Sequence, residues 1–144
     1  MFYGSTYEAI LFTLKELKLC SIELTIRFSN NLEIQSFNNL WRNKNEPTNV
    51  LAFPNKSKIT RLGSLNYLGD IIISYDKIKE ESVFYNVSFK DHLMHLIIHG
   101  VLHLMGYDHD NTNNENKMIK LEEKILKKIG ANSFLLNKKY NERN

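Results

Sequence analysis

Apolar residues recur near helical spacing through TYEAILFTLKELK (residues 6–18), and Ile22, Leu24, Ile26 and Phe28 then alternate with polar residues in SIELTIRF. This predicts a helix followed by a strand with those four side chains pointing inward. Asn30, with Glu33 three residues on, has the form of a capping box and opens a helix through LEIQSFNNLWR. On that helix Leu32, Phe37, Leu40 and Trp41 are expected to form one apolar face, with Pro47 closing the segment. VLAF (Val50 to Phe53), before Pro54, reads as a short strand and LGDIIIS (Leu68 to Ser74) as a buried one. Between these two strands lies the polar, basic loop NKSKITRLGSLNY. Residues 75–86 have a helical pattern, and Ser88 caps a stronger helix through FKDHLMHLIIHGVLHLM that Gly106 stops. Thr112 and Glu115 offer a second capping box for a last helix over 113–129, ended by Gly130; the remaining ANSFLLNKKYNERN is expected to fray. Helix, strand, helix, two strands, then helices describes an α+β domain with a small sheet backed by helices.

Composition narrows this picture without redirecting it. At 144 residues, with no repeat and no Pro-, Gly- or Ser-rich linker, the chain reads as a single domain over residues 1–144. One cysteine, Cys20, allows no internal disulfide and is expected to be a small core residue. No apolar run is long enough to span a bilayer, and MFYGSTYEAILF lacks the basic start and cleavage site of a signal peptide, so a cytoplasmic protein with no membrane partner is expected. Lys and Arg total 19 against 16 Asp and Glu, a net charge of +3, which fits an anionic partner without naming one. The excess is concentrated in Arg42, Lys44, Lys56, Lys58 and Arg61, against Glu46 alone. By itself such a run is more often a solvated loop than a binding site.

The chemistry lies in the histidines. His92, His95, His99 and His103 share one predicted helix, and on an ideal helix the last three fall within roughly 80° of each other. His95 and His103 are about 12 Å apart along the axis, too far to share an ion whose bonds are about 2.1 Å long. Two pairs therefore compete: His95 with His99, or His99 with His103. Gly106 favours the second, because a glycine can adopt a positive φ, turn the chain back and bring His109 to that pair. His99, His103 and His109 would leave the fourth position of a tetrahedral ion open, as in a catalytic site. His92 and His95 are expected to be hydrogen-bonded core residues.

The spacing of His99, His103, Gly106 and His109 is that of the metzincin proteases, H-E-x-x-H-x-x-G-x-x-H, with Gly100 where those enzymes carry the glutamate that acts as general base. Loss of that group, worth typically 10²- to 10⁴-fold, weighs against peptide hydrolysis. A phosphodiester needs charge neutralisation and a positioned nucleophile instead, which a metal and an arginine can supply. Asp108 is a candidate second catalytic residue, either orienting an imidazole or acting on water, although an Asp in a turn is also common without such a role.

Three blocks in order carry a family resemblance. FNNLWRNKNEPTNVLAFP resembles L-N-x-x-Y-R-x-K-D-x-P-T-[DN]-V-L-S-F-P, LGDIIIS resembles L-G-D-[IL]-x-I-S, and HLMHLIIHGVLHLMGYDH resembles H-x-x-H-L-x-x-H-G-x-L-H-L-x-G-Y-D-H. These are the motifs of the YbeY family of bacterial rRNA-maturation factors, which are single-strand endoribonucleases. The departures are Trp41 for the usual Tyr or Phe, Asn45 for Asp and Ala52 for Ser. The resemblance implies a four-stranded mixed sheet packed with about five helices, and zinc or another divalent ion, one per chain, on His99, His103 and His109 at the end of a central helix. It further implies cleavage of single-stranded RNA in 3′ end maturation of small-subunit ribosomal RNA and in ribosome quality control, with the small ribosomal subunit and assembly factors as partners. The family's arginine falls on Arg42, which would clamp and neutralise a phosphate. Lys56, Lys58 and Arg61 would add nonspecific attraction for RNA along a groove between the metal helix and the Arg42–Arg61 region. A metzincin-like protease with a base from elsewhere, and a non-catalytic assembly factor stabilised by its metal, are the alternatives.

Overall fold

The structure, a computed structural model, describes residues 3–56 and 66–136. The elements are α1 (Tyr3–Glu16), β1 (Ile22–Ser29), α2 (Asn31–Arg42), β2 (Val50–Pro54), β3 (Asn66–Ser74), α3 (Tyr75–Tyr85), α4 (Phe89–Leu104) and α5 (Thr112–Ile129), followed by a 3-10 turn at Phe134–Leu136. The sheet order is β1-β3-β2, with β3 parallel to β1 and antiparallel to β2. It is a mixed sheet with helices, the α+β class that the pattern predicts. The fourth strand implied by the family resemblance is absent among the described residues. Those residues offer three strand-like runs, and all three are used.

β3 is paired along both edges, and its two faces are covered by α4 and by α2. Ile71 and Ile73 join the main core with α4, while Ile72 meets Ile34 of α2 and Leu51 of β2 on the opposite face. α4 is the core helix: eleven of its sixteen residues are buried, so it lacks the polar face of a surface helix. Leu93, Ile97, Ile98 and Leu102 are fully buried, each contributing about 1.5–3 kcal/mol of hydrophobic stabilisation. Its close approach to the sheet needs Gly100, where an added Cβ would stand 3.1 Å from Ile71 Cδ1 and 3.2 Å from its Cγ2.

The expected N-cap residues are found at two helices, although at Asn30 the reciprocal half of the capping box is not formed, because the Glu33 carboxylate accepts from Arg27 and Ser29 instead. The Asn30 side chain accepts a hydrogen bond from Glu33 N, and that of Ser88 accepts one from Asp91 N. Elsewhere local competition shifts the boundary. Asn111 rather than Thr112 caps α5, accepting from Asn114 N, and Asn43, at φ 58°, ends α2 before Pro47 is reached. The predicted apolar face of α2 is also turned. Ile34 and Asn38 are its buried residues, Phe37 is partly covered, and Leu32, Leu40 and Trp41 are exposed at 79%, 73% and 64%. The physical reason is the narrow sheet: α2 reaches it through Ile34, leaving the rest of that face open. Phe28, at the end of β1, is likewise 49% exposed, and Cys20 is exposed rather than in the core.

Candidate functional site

The last two turns of α4 carry His99 and His103 on one face, and the turn after it supplies His109. Gly106 has φ +95°, and Tyr107 N donates to Leu102 O at 3.1 Å, folding the chain back over the helix end. Ring centroids lie 4.6 Å apart for His99 and His103, 5.2 Å for His99 and His109, and 5.1 Å for His103 and His109. One nitrogen from each ring can be chosen so that all three lie within 4.8 Å of one another. The Nε2 atoms of His99 and His103 are 3.0 Å apart, close to the roughly 3.4 Å separating two ligands of a tetrahedral ion with bonds of about 2.1 Å. An all-imidazole donor set of this size suits zinc or a similar borderline divalent ion. Burial, reinforced by the neighbouring His99 and His109 rings, lowers the His103 pKa to about 4, so this ring is neutral at pH 7, as a ligand must be.

His95 is not part of this cluster. Its ring is buried, with Nε2 3.5 Å from Glu122 Oε2, and the other oxygen of Glu122 accepts from His99 Nδ1. His92, fully buried, places Nε2 3.1 Å from Glu81 Oε1, which also accepts from Asn49 Nδ2 at 2.9 Å. Both histidines are thus core residues facing a carboxylate, His92 at hydrogen-bond distance and His95 at 3.5 Å. Burial works against ionisation of Glu122, but its bonds to His95 and His99 outweigh that and hold the carboxyl at about 2. Sequence reasoning missed Glu122. The available signal was its place on the apolar stripe of α5 with Met118, Ile125 and Leu126, where a buried carboxylate needs a partner. A cavity of about 240 Å³ between α3, α4 and α5 is lined by Glu81, Tyr85, His95, His99, His109 and Glu122.

Asp108 sits in the turn before His109. Its carboxylate accepts from Asp110 N at 3.1 Å and from Asn114 Nδ2 at 3.5 Å, and the hydrogen bond from Asp110 N leads in lowering its pKa. Among the described residues, the carboxylate that touches a histidine of the cluster is Glu122.

Arg42 belongs to a different concavity. A groove of about 860 Å³ runs between α2 and the sheet face opposite α4, with Phe37, Trp41 and Arg42 on one wall and Thr25, Asp70 and Ile72 on its floor. Ala52, Phe53, Pro54 and Lys56 complete it. The groove found thus has its walls in α2 and the sheet, not in the metal helix. Arg42 Nη2 donates to Ala52 O at 3.4 Å, a backbone contact indifferent to the missing serine hydroxyl. Arg27, also on the lining, is already forked onto Glu33, with Nε to Oε1 at 2.7 Å and Nη2 to Oε2 at 2.9 Å. Among the described residues neither Arg42 nor Lys56 is in an ion pair. Lys58 and Arg61 lie outside the described residues.

Leu104, next to His103, lies against Gly69, where an added Cβ would be 3.0 Å from Leu104 Cδ2. Gly69 pairs with Pro54, which with Lys56 lines the groove. No side chain is tolerated at Gly69: it has φ +140°, and a Cβ would stand 2.2 Å from Phe53 O.

The family described as endoribonuclease YbeY matches residues 3–130. A protein named endoribonuclease YbeY from Bartonella bacilliformis is 41% identical over 129 residues, covering 88% of this chain and 82% of its own. One of the same name from Vesicomyosocius okutanii is 45% identical over 111 residues, covering 77% and 75%. A solution structure of a Thermotoga maritima protein aligns with TM-score 0.61 at 24% identity, over 88% of this chain and 79% of that one, which supports the fold.

Proposed function

From the premise that the chain belongs to the endoribonuclease YbeY family, we propose that it is a metal-dependent endoribonuclease cutting single-stranded RNA. The single observation that carries this is the trio of imidazoles gathered at the end of α4, with donor atoms within 4.8 Å of one another. His99, His103 and His109 hold the ion, which we take to be zinc, one per chain. When bound, it supplies Lewis acidity toward a phosphodiester and toward water at neutral pH. Arg42 forks onto a phosphate and stabilises the charge that develops on it. Phe53 and the exposed Trp41, 6.1 Å apart between ring centroids and set edge to face, offer apolar surface on which bases stack. Lys56, with Lys58 and Arg61, adds attraction for the backbone. The strand leaves the groove past Pro54 and reaches the histidines around the end of α4. Asp108 contributes by shaping the turn that carries His109.

Peptide hydrolysis is disfavoured because Gly100 cannot serve as a general base, and its Cα–H faces Ile71 rather than the histidines. By the same family premise the RNA is ribosomal, cut during 3′ end maturation of the small-subunit rRNA and in ribosome quality control, with the small subunit and assembly factors as cytoplasmic partners. No helix among the described residues is long and apolar enough to cross a membrane.

The test sets a single-stranded oligoribonucleotide beside a peptide, each with and without a chelator. Chelator-sensitive RNA cleavage without peptide cleavage is expected. His103→Ala should lose both metal content and cleavage, and a variant still cutting RNA at the full rate would sink the assignment. Arg42→Ala is expected to lower kcat/KM on a bare oligonucleotide by about 10²-fold, the scale of losing one charge-stabilising group. An unchanged rate, with weakened association to ribosomal particles, would favour the assembly-factor reading instead.

A further inference from the structure

The buried carboxylate of Glu122 makes no contact with the groove, yet it touches two histidines from a neighbouring helix. We propose that Glu122 is the positioning residue of the histidine site: it fixes His99 in the tautomer protonated at Nδ1, so that the Nε2 lone pair faces the ligand position shared with His103 and His109. The proposal rests on the metal-site reading above, and its test separates the two.

Glu122 is 3% exposed, and both of its oxygens are taken, Oε1 by His99 Nδ1 and Oε2 by His95 Nε2 at 3.5 Å. An ionised carboxylate accepts only, so the ring nitrogen facing it must carry the proton. For a neutral imidazole the other nitrogen is then left as the lone pair. In His99 that nitrogen is Nε2, the atom 3.0 Å from His103 Nε2. The same rule gives His95 its proton at Nε2, which leaves its Nδ1 as an acceptor, and that buried atom has no hydrogen-bond partner among the described residues. His95 therefore acts as the second donor that holds the carboxylate in place, rather than as a competing ligand. A carboxylate is costly to bury, and an apolar residue at the same place on the α5 stripe would pack without that cost. Carboxylates behind metal-bound imidazoles are worth 10- to 100-fold in metal affinity, through ring orientation and basicity.

Two measurements decide the matter. In the metal-free wild-type protein, ring-nitrogen NMR shifts should show His99 protonated at Nδ1. A ring protonated at Nε2 overturns the proposal, and this measurement needs no variant to fold. Next, Zn²⁺ affinity is measured by competition with a chromogenic chelator for wild type and Glu122→Gln, with far-UV circular dichroism of the metal-free proteins as the control for folding. The proposal expects Glu122→Gln to bind Zn²⁺ 10- to 100-fold more weakly while retaining wild-type helix content. Wild-type affinity in a folded Glu122→Gln protein overturns it. A wild-type protein that binds no Zn²⁺ would defeat the metal reading, leaving the NMR result to decide the orientation of His99 on its own.

Discussion

Position 100 shows how a residue can be informative for two unrelated reasons. In the sequence, glycine after His99 argues against protease chemistry because no general base follows the first histidine. In the fold, the same glycine lets α4 settle onto β3, since a Cβ there would press on Ile71 at 3.1–3.4 Å. Gly100→Glu should therefore not create a peptidase. It should destabilise the protein by about 3 kcal/mol or more, by overpacking the helix–sheet contact and burying a carboxylate without a partner, measurable by denaturant unfolding. Any peptidase activity with unchanged stability would contradict this placement. The histidines were legible because their spacing alone specifies a helix face and a return turn. Glu122 was not, since its partner His99 lies 23 positions away on another helix. Nothing local to either residue announces the pair.

Among the elements, helices and strands were legible where periodicity and caps agreed, as at Asn30 and Ser88. They were misjudged where a face had to be chosen without knowing the width of the surface it meets. Leu32, Leu40 and Trp41 look like a core stripe, yet α2 touches the sheet through Ile34. Contacts between distant elements were likewise invisible, such as Glu16 of α1 bonded to Lys124 and to Lys128 of α5, the latter at 2.7 Å. Hydrogen bonds from Lys124 and then Lys128 hold the Glu16 carboxyl at about 2, against an ordinary 4.5. A depressed carboxylate pKa means that the unfolded chain takes up its proton first as pH falls. The contribution of this clamp is thus complete above about pH 4.5 and lost progressively toward pH 2. Glu16→Gln should flatten the acid limb of the stability–pH curve between those values while leaving the curve unchanged in shape near neutrality.

At the scale of the molecule, the alternating and apolar runs anticipated three strands, whereas the family resemblance implied four, and the sheet among the described residues has three. The placement of the functional parts around that sheet could not be read in advance. Arg42 and the histidines sit on opposite sides, because alternate residues of one strand face opposite ways. An ion held by His99, His103 and His109, as proposed, would join the end of α4 to the turn leading into α5. Metal should therefore stabilise the whole fold, by about 2.7 kcal/mol at a free concentration 100 times its dissociation constant. Adding chelator should lower the thermal midpoint of wild type and leave that of His103→Ala where it is.

The path around the sheet also makes stiffness a criterion of selection. On the proposed route, a nucleic acid that occupies the groove beside Trp41 and also reaches the histidines at the α4 end has to bend around the end of the sheet. A single strand bends that way at little cost. A duplex, whose persistence length is on the order of 150 base pairs for DNA, bends only at a cost of about 1–6 kcal/mol for a turn of 40–90°. On that route, discrimination against paired substrates would require no contact that recognises pairing: the curvature penalises whatever is stiff.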